Sequence, residues 1–308
     1  MSKFLLSAML GMGIASAQAQ VACPTISNFA GSKDQAVLQI LDQLKGTVAM
    51  SGNNVCSGAL VTFKGRSSSA PALVLSAAHC SDRGKIQIPL RNGTLAALDA
   101  GEVLYRVEYR RPLTLDTGNS DAPRTCIESE EIVYATLTDG DILLLRLGET
   151  YDQIERRTGV RPFLISQDQS FPAGLALRMP SSLWQNDRAC EIEATVEKLK
   201  EHRWVWGPVI RLRRMNPDSC LAPHGASGSP AIRKDTNEVI GVLGTSSDAT
   251  GAPCELNNPC EVKPDGTVVA MPEDQSYVHF VHKLYSCLDA ERNIDLGTPG
   301  CLLPRPQP

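Results

Sequence analysis

CSGALVTFKGRSSSAPALVLSAAHC, residues 56–80, is the stretch that decides the fold. Two apolar runs, ALVTF and PALVLSA, flank a polar turn that carries Gly65 and three serines. Runs of this length, bounded by turn formers, suit strands better than helices. Cysteines bracket the unit, and His79 stands directly before the second one. Taken alone, that histidine could equally be a partly buried structural residue.

The same pattern recurs outward from this unit. KIQIPL, EVLYRVEY, ILLLRL, GLALRM, WVWGPVIRL, PAIRK, VIGVLGT and GTVVAM are short apolar runs, often with Gly, Pro, Asn, Asp or Ser between them. They predict a mostly β chain, built as barrels or a sandwich. Helical patterning is confined to DQAVLQILDQL before the strands and VHKLYSCLDAE near the end, and there is no internal repeat. The stretch from RLGETYDQIERRTG to PFLIS predicts a linker between halves of similar size.

Composition sets the outer bounds. With 308 residues, 42% of them hydrophobic, the chain can bury a sizeable core as one large or two modest domains. A net charge of −4 argues against general attraction to nucleic acid or anionic membrane. The one basic stretch, KLKEHRWVWGPVIRLRR, reads as solvated strand faces. Lys3, the apolar run FLLSAMLGMGIASA and the small-residue pattern ASAQA read as a signal peptide over residues 1–19. All ten cysteines lie beyond it, and an even number in a secreted chain suggests up to five disulfides. Spacing alone does not fix their pairing, and no spacing resembles a zinc site. His279 and His282 in HFVH read as terminal packing rather than as metal ligands.

Two further motifs join the first. In DGDILLLRL, Asp141 precedes an apolar strand that would bury its side chain, with Asp139 a near rival. In HGASGSP, residues 224–230, Gly225 and Gly228 permit the positive φ and close backbone approach of a tight anion-binding turn around Ser227. Asp116-Thr117-Gly118 suggests an aspartic protease, but that chemistry needs a second aspartate to share the proton, and no second copy exists.

Together CSGALV, LSAAHC, GDILLLRL and GASGSP, in the order His, Asp, Ser, resemble the chymotrypsin family of trypsin-like serine proteases, in the form of a bacterial secreted member. VIGVLGTSS is similar to that family's substrate-pairing strand, and SYVHFVHKLYSCL to its terminal strand and helix. The resemblance implies two six-stranded antiparallel β-barrels with a C-terminal helix. It implies a first barrel over residues 46–158 carrying His79 and Asp141, and a second over 159–290 carrying Ser227. Residues 20–45 would be an N-terminal extension and 291–308 a tail.

The implied activity is that of a serine endopeptidase, which needs no cofactor or metal and acts on polypeptide substrates as a monomer. Ser227 would be the nucleophile, His79 its base, and Asp141 the holder of the imidazole tautomer. The N–H groups of Gly225 and Ser227 would form the oxyanion hole, and Gly244, Thr245 and Ser246 would pair with an extended peptide. The base of the specificity pocket is Asp218 counting from Cys220, which favours Arg or Lys, or Leu221 counting back from Ser227, which favours apolar side chains. The family also implies a Cys56–Cys80 bridge, and a bridge from Cys220 to Cys254 or Cys260.

A protease-like binding module that has lost its chemistry is the rival from another class. Ala226 stands where many family members carry an aspartate that pairs with a newly cut N-terminus. The turn is therefore expected to be organised by local packing and hydrogen bonds, involving His224 or the Cys220 bridge, without cleavage of the extension.

Overall fold

The computed structural model describes residues 23, 29–51, 55–90, 93–214, 220, 222–248 and 252–307. The signal segment, Asp218 and Leu221 lie outside the described residues. In chain order the first strands are β1 (Thr47–Met50), β2 (Cys56–Thr62), β3 (Pro71–Ser76), β4 (Ile86–Leu90), β5 (Gly93–Ala97) and β6 (Val103–Asp116). β7 (Arg124–Thr136), β8 (Ile142–Thr150) and the short β9 (Phe163–Leu164) follow. β1 pairs with both β2 and β6, and the order continues through β7, β8 and β3 back to β2, so six strands close on themselves. β9 adds in parallel to β2, and β4 and β5 form a separate hairpin.

The second half comprises β10 (Ala176–Ser181), β11 (Asn186–Val196), β12 (Leu199–Glu201), β13 (Trp204–Trp206), β14 (Val209–Arg214), β15 (Pro230–Arg233) and β16 (Val239–Ser246). It ends with β17 (Cys260–Val262), β18 (Val268–Ala270) and β19 (Ser276–Phe280). Here the closed barrel runs β10-β11-β14-β19-β16-β15, and β13-β12-β17-β18 form a smaller sheet beside it. The architecture is therefore the expected pair of six-stranded antiparallel barrels. WVWGPVIRL, one apolar run in sequence, is divided at Gly207 and Pro208 into strands of two different sheets. Proline cannot donate to a ladder, so the run breaks there.

Strand β7 is too charged to stand out as an apolar run. Ile127, Ser129, Ile132 and Tyr134 point inward while Glu128 is exposed, which is how a half-solvated antiparallel strand alternates. Helix α1 (Gln35–Leu44) forms where expected, with the Asp34 side chain accepting from the Ala36 N–H at its start. Ten residues are too few to hold a helix by propensity. Burial of Leu41 and Leu44 contributes about 3–6 kcal/mol at most and holds it in place.

Two segments differ in kind from the sequence expectation. VHKLYSCLDAE yields a 3-10 helix over His282–Cys287 rather than a longer helix. The expected linker contains helix α2 (Tyr151–Thr158), started by a reciprocal capping box of Thr150 and Gln153 and ended by Gly159 in the left-handed region.

Five disulfides join Cys23–Cys126, Cys56–Cys80, Cys190–Cys220, Cys254–Cys260 and Cys287–Cys301. The expected partnership of Cys220 with Cys254 or Cys260 is corrected. β11 pairs with β14 so that Cys190 lies opposite Arg214, and the chain leaving β14 returns Cys220 to Cys190. Cys254 instead closes a tight turn onto the start of β17, where its N–H bonds to the Asn258 carbonyl at 2.9 Å. No described helix is long and apolar enough to cross a membrane.

Candidate active site

His79 lies on a 3-10 turn, Ala78–Cys80, directly after β3. Several bonds hold that turn. The disulfide fixes Cys80 to the start of β2, and the buried Arg111 guanidinium donates to the Cys80 carbonyl at 2.8 Å. Asp141 immediately precedes β8, whose first residues pair with β3 at Ser76↔Leu143, so strand register brings the carboxylate under the imidazole. The His79 backbone N–H donates to Asp141 Oδ1 at 3.1 Å, and His79 Nδ1 lies 2.6 Å from Asp141 Oδ2. Its rival Asp139 is exposed on a left-handed turn at φ 60°.

Electrostatics follow from this geometry. Burial opposes protonation of His79, but the charge and hydrogen bond of Asp141 outweigh it and hold the imidazole above the ordinary histidine value. Burial likewise opposes ionisation of Asp141, and His79 outweighs it, so the carboxyl stays below the usual range. The pair fixes Nδ1 as the donor and leaves Nε2 as the basic face. Cys56, His79 and Cys80 cluster closely, but both sulfurs are committed to their disulfide.

The Ser227 turn is built differently. Gly225 and Gly228 take φ of 92° and 79°, the left-handed region that favours glycine. A Cβ on Gly228 would collide with Ser76 Oγ and the Ser57 carbonyl, so the turn sits hard against β2 and β3 of the other barrel. Ser57 clamps it twice. Its N–H donates to the Ser227 carbonyl at 2.8 Å, and its hydroxyl donates to the Gly225 carbonyl at 3.1 Å. The same hydroxyl oxygen accepts the Leu183 N–H at 3.3 Å and lies 2.9 Å from Ser181 Oγ. Ala226 is buried in the second barrel's core, and Trp184 Nε1 donates to the His224 carbonyl at 3.0 Å.

Among the described residues, the N–H groups of Gly225 and Ser227 have no acceptor. Ser57, next in chain to the cysteine that bridges to Cys80, links the Ser227 turn to the corner that holds His79.

Gly244, Thr245 and Ser246 continue β16 beyond Val242, where its pairing with β15 ends. Among the described residues no strand pairs with them on that side, as peptide augmentation requires. Ser246 Oγ donates to the Ala222 carbonyl at 3.1 Å, and Thr245 is buried. Asp116 is not part of this cluster. It is buried 2.9 Å from Arg124 Nε and accepts from Thr47 Oγ1 at 3.0 Å, a structural ion pair.

Two groups here were not read from the sequence as part of the site. Glu201 on β12 is buried beside Thr245, accepts the Asn257 N–H at 2.8 Å, and is pushed up to about 7 by its burial. His279 on β19 is buried against Gly244, which lies on the Asp141 side of the cluster. Glu201 sits in the largely charged run LKE, which gave no signal, and His279, a polar residue beside Val278 and Phe280, reads from the sequence as terminal packing.

No family model and no curated protein matches the chain. It is similar to the solved protease domain of MamO from Magnetospirillum magneticum, at 13% identity and a TM-score of 0.46, over 80% of this chain and 98% of that one. The active form of the Rv3671c protease from M. tuberculosis is 12% identical over 93% and 99% of the two chains, with a TM-score of 0.45. Kallikrein-related peptidase 10 is 14% identical over 78% and 91%, with a TM-score of 0.42.

Proposed function

We propose that this chain is a secreted serine endopeptidase. The observation that carries the reading is the buried Asp141 bonded to His79 at 2.6 Å, in a barrel to which Ser57 clamps a serine turn whose Gly225 and Ser227 N–H groups have no acceptor among the described residues. In this reading His79 Nε2 takes the Ser227 proton as Oγ attacks a peptide carbonyl, and Asp141 stabilises the imidazolium. The N–H groups of Gly225 and Ser227 receive the developing oxyanion. The imidazolium then gives its proton to the leaving amine, and water hydrolyses the acyl-enzyme by the same steps. Residues 244–246 hold the substrate as an added strand. The domain division at residues 46–158 and 159–290 belongs to this proposal, as does secretion, which the five disulfides support.

The second reading is an inactive protease-like binding module, since a protease fold does not by itself carry the chemistry. A fluorophosphonate separates the two: covalent labelling of Ser227 supports the enzyme, and an unlabelled, folded protein supports the module. Ser227→Ala is expected to lower turnover by about 10⁶-fold, and undiminished peptide hydrolysis in that variant would sink the proposal. Cleavage of a peptide library decides between basic preference through Asp218 and apolar preference through Leu221.

A further inference from the structure

The second barrel presents a ring to the candidate charge pair that the chemistry above does not use. His279 is 1% exposed on β19, and the Trp206 indole meets its ring edge to face at 5.0 Å. Gly244 makes room for it. A Cβ on Gly244 would collide with the Cδ2–Nε2 edge of the imidazole and would lie 3.5 Å from Asp141 Oδ2, so ring and carboxylate border one small gap. A Cβ on Gly140, the residue before Asp141, would lie 4.0 Å from His279 Nδ1. Among the described residues neither nitrogen of His279 has a hydrogen-bond partner.

A buried polar ring without partners costs stability, and an apolar side chain of similar size would fill the space without that cost. Burial pushes the His279 pKa down to about 4, the Asp141 carboxylate opposes this, and the charge of His79 adds to it. The ring is therefore uncharged at neutral pH. The ionisable groups around it are Asp141 ahead of β8 and His79 on the 3-10 turn, with Glu201 on β12 acting in turn on His79.

We propose that His279 is a positioning residue for Asp141, an uncharged imidazole whose Nε2–H edge faces the carboxylate and tempers its charge without adding a second cation. The proposal rests on the serine-hydrolase reading for its catalytic meaning. Its physical content is a coupling between His279 and the titration of His79. A donor directed at Asp141 weakens the field that raises His79, so removing that donor raises His79 further.

The test compares His279→Leu with His279→Asn, the latter retaining an N–H donor, by NMR titration of His79 and by the pH profile of kcat/KM. In His279→Leu the His79 titration and the acid limb should move up by roughly half a pH unit or more, and kcat should fall about tenfold. The thermal midpoint should hold or rise. His279→Asn should restore both the titration and most of the rate. Wild-type titration in both variants, or an equal displacement in both, overturns the proposal, the second result pointing to packing alone. Should a variant not fold, the long-range ¹H–¹⁵N spectrum of the wild-type protein still decides: the Nε2–H tautomer is required, and the Nδ1–H tautomer defeats the assignment. Failure of Ser227 to take up a fluorophosphonate would defeat the hydrolase reading but leave the His79 titration measurable, so the two ideas fail separately.

Discussion

The corner that holds His79 and the turn that holds Ser227 are rigid for different reasons. His79 is fixed inside one barrel by a charge-assisted bond to Asp141, by a disulfide and by Arg111 donating to the Cys80 carbonyl. The Ser227 turn belongs to the second barrel, yet the bonds that clamp it come from Ser57 on the first. In the proposed enzyme the bonds that align the base therefore lie within one barrel, whereas those that hold the nucleophile's turn cross between the two. Ala226 fits this account, because a turn held by a neighbouring strand has no need of a carboxylate drawn to a new N-terminus.

Substitution at Asp141 should expose the first half of that contrast most strongly. Asp141→Asn is expected to lower kcat by roughly 10⁴-fold by releasing the tautomer, with the fold intact by circular dichroism. Because Asp141 holds His79 above its ordinary value, the acid limb should also move to lower pH, opposite in sign to His279→Leu. An unmoved limb would mean that the pair does not set the base.

Gly228→Ala attacks the second half. Its Cβ meets Ser76 Oγ and the Ser57 carbonyl at a positive φ, so about 1–3 kcal/mol of strain falls on the interface between barrels. Activity should drop by about 10²–10³-fold while the His79 titration stays in place. A displaced titration would show that turn and base are one unit, not two.

Ser57→Ala is the mildest probe. It keeps the backbone clamp but strands the Gly225 carbonyl and the Leu183 N–H, a loss of about 1–3 kcal/mol by denaturant melt. Turnover should fall about tenfold with little change in KM, since the hydroxyl shapes the oxyanion turn rather than the peptide site. A rise in KM at constant kcat would relocate its role to substrate binding.

What could be read in the sequence was what short stretches encode. LSAAHC, GDILLLRL and GASGSP each combine a strand signal with a residue of distinctive chemistry, so fold and candidate triad were legible together. Ser57 gave no such signal and His279 read only as packing, because their surroundings are set by strand register and barrel docking rather than by neighbouring residues. Cys220 was misassigned for the same reason, as its partner depends on β11 lying beside β14. Helix α2 is a different case: Thr150 and Gln153 spell a capping box, and it was obscured by the polar residues that follow.

The Cys23–Cys126 bridge has a mechanical consequence. It anchors the N-terminal segment to β7 of the first barrel, while Gln43, near the end of α1, accepts from Arg178 on β10 of the second at 2.8 Å. At the other terminus the loop closed by Cys287–Cys301 leads to Pro304, whose carbonyl accepts from Tyr134 on β7 at 3.2 Å. The two barrels are strapped together by segments near both termini, and a motion that parted them would have to peel one strap away. If the chain acts as proposed, barrels strapped in this way leave the cost of fitting to the peptide, and segments that are already extended or easily unravelled should be cut in preference to rigid loops of folded proteins.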